Sequence, residues 1–308
     1  MNRENISIDR KIDRGIARRK VVERLAVTVC VLALLVALLP LLDILYTAIS
    51  IGGSKLRPDF FTQPAGGLPY FGSQGGILNG FLGTTILLFF GGLIAVPFGV
   101  MCGVYLAEFG DGRMGTLIRT LGDTLLGVPS VVWGLFGYLF FTSTISPVGL
   151  RWGNSVLAGG AILGLIMTPI VARVTELSVR DVPGAFREAS LALGATRWTT
   201  MRRIGLRVAR PGILTGVLLA LTNAIGQTVA LLLTNGYTYL MPQWPLRLTG
   251  QGNNVTDLGS AIYIYLSQPT PLLQPPAEAA VIVLLGLVLA LSLLSRALTA
   301  LGRRAYAG

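Results

Sequence analysis

Ala185-Phe186-Arg187-Glu188-Ala189-Ser190-Leu191-Ala192-Leu193-Gly194-Ala195-Thr196-Arg197-Trp198 stands between two apolar runs, residues 155–172 and 212–233. Phe186, Ala189 and Leu193 fall on one helical face, and Gly194 supplies a helix stop. Thr196 can cap a second helix that begins at Arg197-Trp198 and runs through Met201 and Ile204 towards Pro211. The pattern predicts helix, glycine turn, helix. Across 173–210 there are eight arginines and no lysine, so a compact basic element is held in water between two segments that avoid water. A loop of this form is suited to docking a partner.

Outward from this loop, apolar stretches recur along the chain. A helix needs roughly 20 mostly apolar residues to cross a bilayer core. Six stretches qualify, at about 25–49, 78–107, 121–141, 155–172, 212–233 and 278–300. The strict alternation of a barrel strand is absent, and a lipid-exposed backbone must satisfy its own hydrogen bonds, so all six are expected to be helices. The composition agrees: 52% of the 308 residues are hydrophobic and 13% charged, against about 25% charged in soluble domains, with mean hydropathy +0.68. The expected fold is an all-α integral membrane protein with a basic tail at 1–24 and a six-span domain at 25–308. Residues 1–24 end in Arg18-Arg19-Lys20 before a long apolar run without a convincing small-residue cleavage site, which reads as a retained anchor.

The formal charge of +11 invites a nucleic-acid reading until the basic residues are placed. With both ends and the second and fourth loops on one side, 21 of the 25 Lys and Arg share that side. The positive-inside rule makes it cytoplasmic; the plasma (inner) membrane is the expected location. The outer segments 50–77 and 234–277 are rich in Gly, Pro, Asn, Gln and Tyr and nearly uncharged, as suits irregular loops that meet a partner. Gly and Pro also recur inside the spans, at Gly91-Gly92, Pro97, Gly99, Gly103, Gly134, Gly137, Gly159-Gly160, Gly164 and Pro169. Small residues let membrane helices approach closely, and their density favours helices that rearrange.

Several chemistries lose their raw material. The chain has no histidine, and its two cysteines, Cys30 and Cys102, both lie in apolar runs; no metal site, disulfide framework or bound cofactor is expected. Asp43, Asp123 and Glu278 are scattered near span ends, which argues against a membrane enzyme built on an aspartate pair. No G-x-x-x-x-G-K-[ST] is present, so nucleotide phosphates have no P-loop here.

The loop resembles the cytoplasmic signature of permeases from binding-protein-dependent ABC importers: Glu-Ala-Ala, three residues, Gly, nine residues, Ile, one residue, Leu-Pro. This chain has Glu188-Ala189-Ser190, then Gly194, then Ile204-Gly205-Leu206, with Ser190 for the second Ala and Arg207 for Pro. The likeness narrows towards the A-type permease of phosphate importers. It is carried by residues 99–110, by Asp123 to Phe136 with Gly127-Val128-Pro129-Ser130, by Pro169 to Glu176, by Arg187 to Trp198 and by Pro211 to Gly216. The resemblance implies type I permease architecture and a chain that is not itself an enzyme. ATP and Mg would be used by two ATP-binding cassette subunits, reached through Phe186, Glu188, Ala189, Gly194 and Trp198. A second, C-type permease would complete the path in membrane lipid, and an extracytoplasmic binding protein would deliver the anion. No nucleic acid enters.

One departure bears on substrate. In the fifth span the family has an arginine, three residues, then Gly-Glu-Thr or a near variant; this chain has Asn223-Ala224-Ile225-Gly226-Gln227-Thr228. Both charges have become amides at i and i+4 on one face, so the face keeps its net charge without burying an ion pair. Asn223, Gly226, Gln227 and Thr228 are the candidate substrate path, with interhelical packing as the competing role. Molybdate, tungstate, sulfate or another small solute stay open beside phosphate, and a membrane scaffold is opposed chiefly by the docking loop. Asp123, Pro129 and Ser130 are candidates for orienting the third span. Arg173, Glu176 and Arg180, at helical spacing after the fourth span, are expected to pair as a surface network.

Overall fold

The computed structural model describes residues 3–64, 76–242, 246–250, 252–268 and 274–307; side chains are described from Arg19, except Val21, up to Ala300, except Gln274. The chain divides into two units, residues 1–50 and 51–308. The first consists largely of one helix, α1 (Arg3–Thr47), so residues 3–24 are helical and continuous with the first apolar stretch.

The second unit begins with a short helix, α2 (Pro58–Thr62). It is built around α3 (Leu78–Phe109) and α6 (Val156–Arg180), which lie against one another along their length. Glycine makes this approach possible. A Cβ at Gly99 would stand 2.7 Å from Val171 Cβ, and one at Gly103 2.5 Å from the Ala172 carbonyl oxygen. From α6, Gly160 and Gly164 likewise abut Phe90 and Ile94 of α3. The glycines expected to mark rearranging helices are, at these positions, sites of tight packing. The core beside them is formed by Leu87, Ala95, Leu163, Met167 and Val171, joined by Ala220 and Ala224 of a later helix.

Among the described residues, five helices are long and apolar enough to cross a membrane: Val22–Lys55, Leu78–Phe109, Val156–Arg180, Arg197–Ile225 and Pro275–Ala300. The expected third span, 121–141, is not one rod. It consists of α4 (Arg113–Leu126) and α5 (Ser130–Gly137), the latter extended by a π turn to Thr142, with a bend of 101° between the arms. Pro129 sits at the break with extended backbone, and its missing N–H and fixed φ end one helix and start the next.

After α6 come α7 (Gly184–Ala192), α8 (Arg197–Thr200) and a π turn over Met201–Gly205 that leads straight into α9 (Leu206–Ile225). The second helix of the loop was expected to run towards Pro211 at the start of the next span. It is instead continuous with the fifth span, and Pro211 lies inside α9. That span ends earlier than 233: it breaks at Gly226-Gln227 and resumes as α10 (Thr228–Thr234).

The segment 234–277 is, among its described residues, less irregular than its composition suggests. It holds α11 (Leu258–Ser267), capped where Asp257 Oδ2 accepts from Ser260 N at 2.9 Å. Upstream, the buried Asn235 side chain pairs with the Val255 backbone through both its amide nitrogen and its oxygen, so the loop between them is stapled. The chain closes with α12 (Gln274–Ala307), which packs on α9 and α11.

Candidate functional site: a docking turn and a broken fifth span

The helix-turn-helix is present. Gly194 has φ +82°, the left-handed conformation that glycine adopts at little cost, and a Cβ there would meet nothing within 4 Å. Thr196 Oγ1 accepts from Thr199 N at 3.2 Å and caps α8 as its sequence position implied. Phe186, Glu188, Ala189, Gly194 and Trp198 are all exposed. Leu193 is 89% exposed and Trp198 65%, large apolar side chains on an element whose other face is packed. That packed face consists of Val182, Ser190, Thr200 and Met201, with Val179 of α6 and Ala209 of α9. The structure also accounts for the departure at Ser190: its hydroxyl meets Thr200 Oγ1 at 2.8 Å in a buried setting, tying α7 to α8.

The four fifth-span residues are brought together at the α9/α10 break. Gln227 Nε2 donates to Asn223 Oδ1 at 3.2 Å, so the two amides share a face as their spacing required. Asn223 and Gly226 are exposed, and Gln227 and Thr228 partly so. The helix ends in bonds to the third residue back, from Gly226 N to Asn223 O and from Gln227 N to Ala224 O. Because Asn223 uses its oxygen towards Gln227, its amide N–H donors remain for a ligand. Beside the break, Asp257 is buried, and burial pushes its carboxyl above the ordinary range although Ser260 and nearby backbone N–H groups oppose the shift.

The third-span candidates divide. Pro129 and Ser130 sit at the break, whereas Asp123 is exposed on α4 and no ion pair among the described residues includes it. What attaches α4 is Arg119, which sequence reasoning passed over. The supposed surface network is also different in kind. Glu176 is 2% exposed, and its carboxylate meets Arg119 Nε at 2.7 Å, Arg180 Nη2 at 3.1 Å and Arg173 Nη1 at 3.5 Å. The signal that could have found it is a lone acid among arginines at i−3 and i+4, which marks a charge needing partners wherever the helix is covered.

Two cavities adjoin these elements. One, of about 250 Å³, lies under the α4/α5 bend against α3 and α6, bounded by Cys102, Leu106, Leu121, Trp133, Leu165 and Pro169 among others. The other, about 340 Å³, is in the segment after α10 and includes Thr238, Arg247, Asn253 and Asn254; no carboxylate is among its described lining residues.

A helical protein with at least five apolar spans and a broken pair between them is a multi-pass membrane protein. Residues 95–305 match the model of the binding-protein-dependent transport system inner membrane component, and the chain belongs to that family. It is similar to "Phosphate transport system permease protein PstA 2" of Mycobacterium bovis, 33% identical over 94% of this chain and 91% of that one. A second relative, "Phosphate transport system permease protein PstA" of Haemophilus influenzae, is 36% identical over 82% of this chain and 84% of its own. Among solved structures, a bacterial ABC transporter involved in import of the acidic polysaccharide alginate superposes with TM-score 0.51 at 18% identity, over 88% of this chain and 95% of that chain. At that identity the likeness concerns the fold.

Proposed function

We propose that this chain is a permease subunit of an ATP-driven importer for inorganic phosphate, forming half of the translocation path and taking its drive from ATPase subunits docked on the α7–Gly194–α8 turn. The observation that carries the reading is the exposed face of that turn, in a membrane protein whose relatives over nearly its whole length are phosphate transport permeases. Large apolar side chains raised on a basic, rigidly packed element suit a protein groove better than water. The six-span topology, with α4 and α5 as one bent span, and cytoplasmic termini rest on the 21-to-4 distribution of basic residues. A second permease would cover the exposed face of Asn223 and Gln227, where amide and hydroxyl donors hold an oxyanion loosely enough to let it go. The outer cavity, with Arg247 and two asparagines, is of the right sign to receive an anion from a binding protein.

Uptake of labelled phosphate into vesicles containing the whole complex, with sulfate and molybdate as competitors, tests the substrate. Competition by unlabelled phosphate alone is expected, and uptake of another oxyanion in its place would replace the assignment. In the same vesicles Asn223→Leu and Gln227→Leu should each abolish uptake while the complex still assembles. Unaltered kinetics in both would leave these residues as packing groups.

A further inference from the structure

Four arginines and two glutamates meet where α3, α4, α6 and α7 come together, and they form two clasps on one helix end. In the first, Arg119 of α4 spends every donor group on this junction: Nε to Glu176 Oε1 at 2.7 Å, Nη1 to the Gly110 carbonyl at 2.8 Å and Nη2 to the Leu106 carbonyl at 3.0 Å. Arg180 of α6 reaches the same Leu106 carbonyl at 3.2 Å and the same carboxylate at 3.1 Å. In the second, Arg187 of the docking helix α7 meets Glu108 Oε1 at 2.7 Å and donates to the Val179 carbonyl of α6 at 2.7 Å. Leu106 and Glu108 lie on the last turn of α3, and Gly110 caps it. The end of α3 is therefore gripped from the docking helix on one side and from the broken span on the other.

The position of α4 depends on its clasp. Gly115 packs against Gly110 at the start of the arm, but further along it lies over a cavity of about 250 Å³, so its packing there is incomplete and a charge-assisted bond to a buried carboxylate is among the stronger attachments available. Local backbone is shaped for the same contact. A Cβ at Gly110 would stand 2.5 Å from Arg119 Nη2, so glycine leaves the space the guanidinium fills. Glu176 in turn is buried only because three guanidinium groups surround it; removing any one leaves charge short of partners, which is costly in a low-dielectric site.

We propose, resting on the permease reading above, that Glu108, Arg187, Arg119 and Glu176 are positioning residues that link the ATPase-docking helix to the broken third span, so that displacement of α7 carries α4 with it. Arg187 moves with α7, Glu108 passes the displacement to the end of α3, and Arg119 and Glu176 pass it to α4. None of the four touches substrate. Their role is to keep ATP turnover and transport in step.

The test uses the whole complex in vesicles and reads ATP hydrolysed per phosphate carried, together with the distance between spin labels at Leu289→Cys on α12, which takes no part in either clasp, and Met114→Cys on α4, both exposed sites. In the parent complex that distance should change when nucleotide binds. Glu108→Arg and Arg187→Glu singly should each raise the ATP-to-phosphate ratio by about tenfold, a size typical of coupling between linked sites. The double exchange, Glu108→Arg with Arg187→Glu, should restore the ratio in part, lowering it by about threefold from the single variants, since it re-forms the ion pair although not the donation to the Val179 carbonyl. Glu176→Gln, which keeps the side-chain shape, should abolish the nucleotide-dependent change in label distance while ATP hydrolysis persists. An unchanged ratio in assembled single variants, failure of the double exchange to restore it in part, or an unaltered label response in Glu176→Gln would each overturn the proposal. A parent complex that carries no phosphate would instead overturn the functional reading on which it rests, and the label response would still report on the clasps.

Discussion

Replacing Gly103 with alanine tests whether the α3–α6 pair is set by backbone contact. The new Cβ would lie 2.5 Å from the Ala172 carbonyl oxygen and 2.6 Å from Thr175 Cβ. Ordinary contact begins at 3.4 Å, so the helices must part by about 0.9 Å, the difference between those distances, unless the backbone bends. Parting them there also loosens the neighbouring contact of Gly99 with Val171. Overpacking of this kind costs about 1–3 kcal/mol, and at roughly 2–4 °C per kcal/mol the thermal midpoint of the purified complex in detergent should fall by several degrees. Gly92, on the same helix, and Gly286, on α12, supply the controls, because a Cβ at either meets nothing within 4 Å. Alanine there should leave the midpoint unchanged or raise it, since Ala is the better helix former by about 1 kcal/mol. Intrinsic fluorescence during heating separates the cases. Equal losses at Gly103 and Gly92, or none at Gly103, would refute the idea that glycine sets the helix spacing.

Gly194→Val places a β-branched residue at φ +82° and should lower ATP-driven uptake while insertion continues; with Glu188→Lys added, normal uptake and ATP turnover would remove the docking role. Asp257 follows a definite sign: its folded carboxyl is raised by burial, so its contribution to stability is complete below the unfolded value and is lost as pH rises through the folded one. Asp257→Asn, which keeps a cap acceptor, should therefore stabilise the complex more at about pH 8 than at about pH 4; thermal midpoints across that range decide it. For orientation, Arg197→Cys should be shielded from an impermeant thiol reagent added outside intact cells, whereas Leu240→Cys, at a 66% exposed position in the segment after α10, should react; the reverse pattern would invert the proposed topology.

Hydropathy along the chain determined where membrane helices lie, because a helix in lipid needs only its own residues to satisfy its backbone and avoid water. Local chemistry was equally sufficient at Gly194 and Thr196, where the turn and cap are properties of one or a few neighbouring residues. The pairing of Asn223 with Gln227 was legible for the same reason, being one helical turn apart. Tertiary structure alone decided that the third span bends by 101°, that the fifth parts at Gly226, and that Glu176 is buried. The last shows the physical reason most clearly. Its partner Arg119 is 57 positions away on another helix, and a charge carries no local mark of whether water or protein will surround it; that depends on which helices the glycines of α3 and α6 allow to meet.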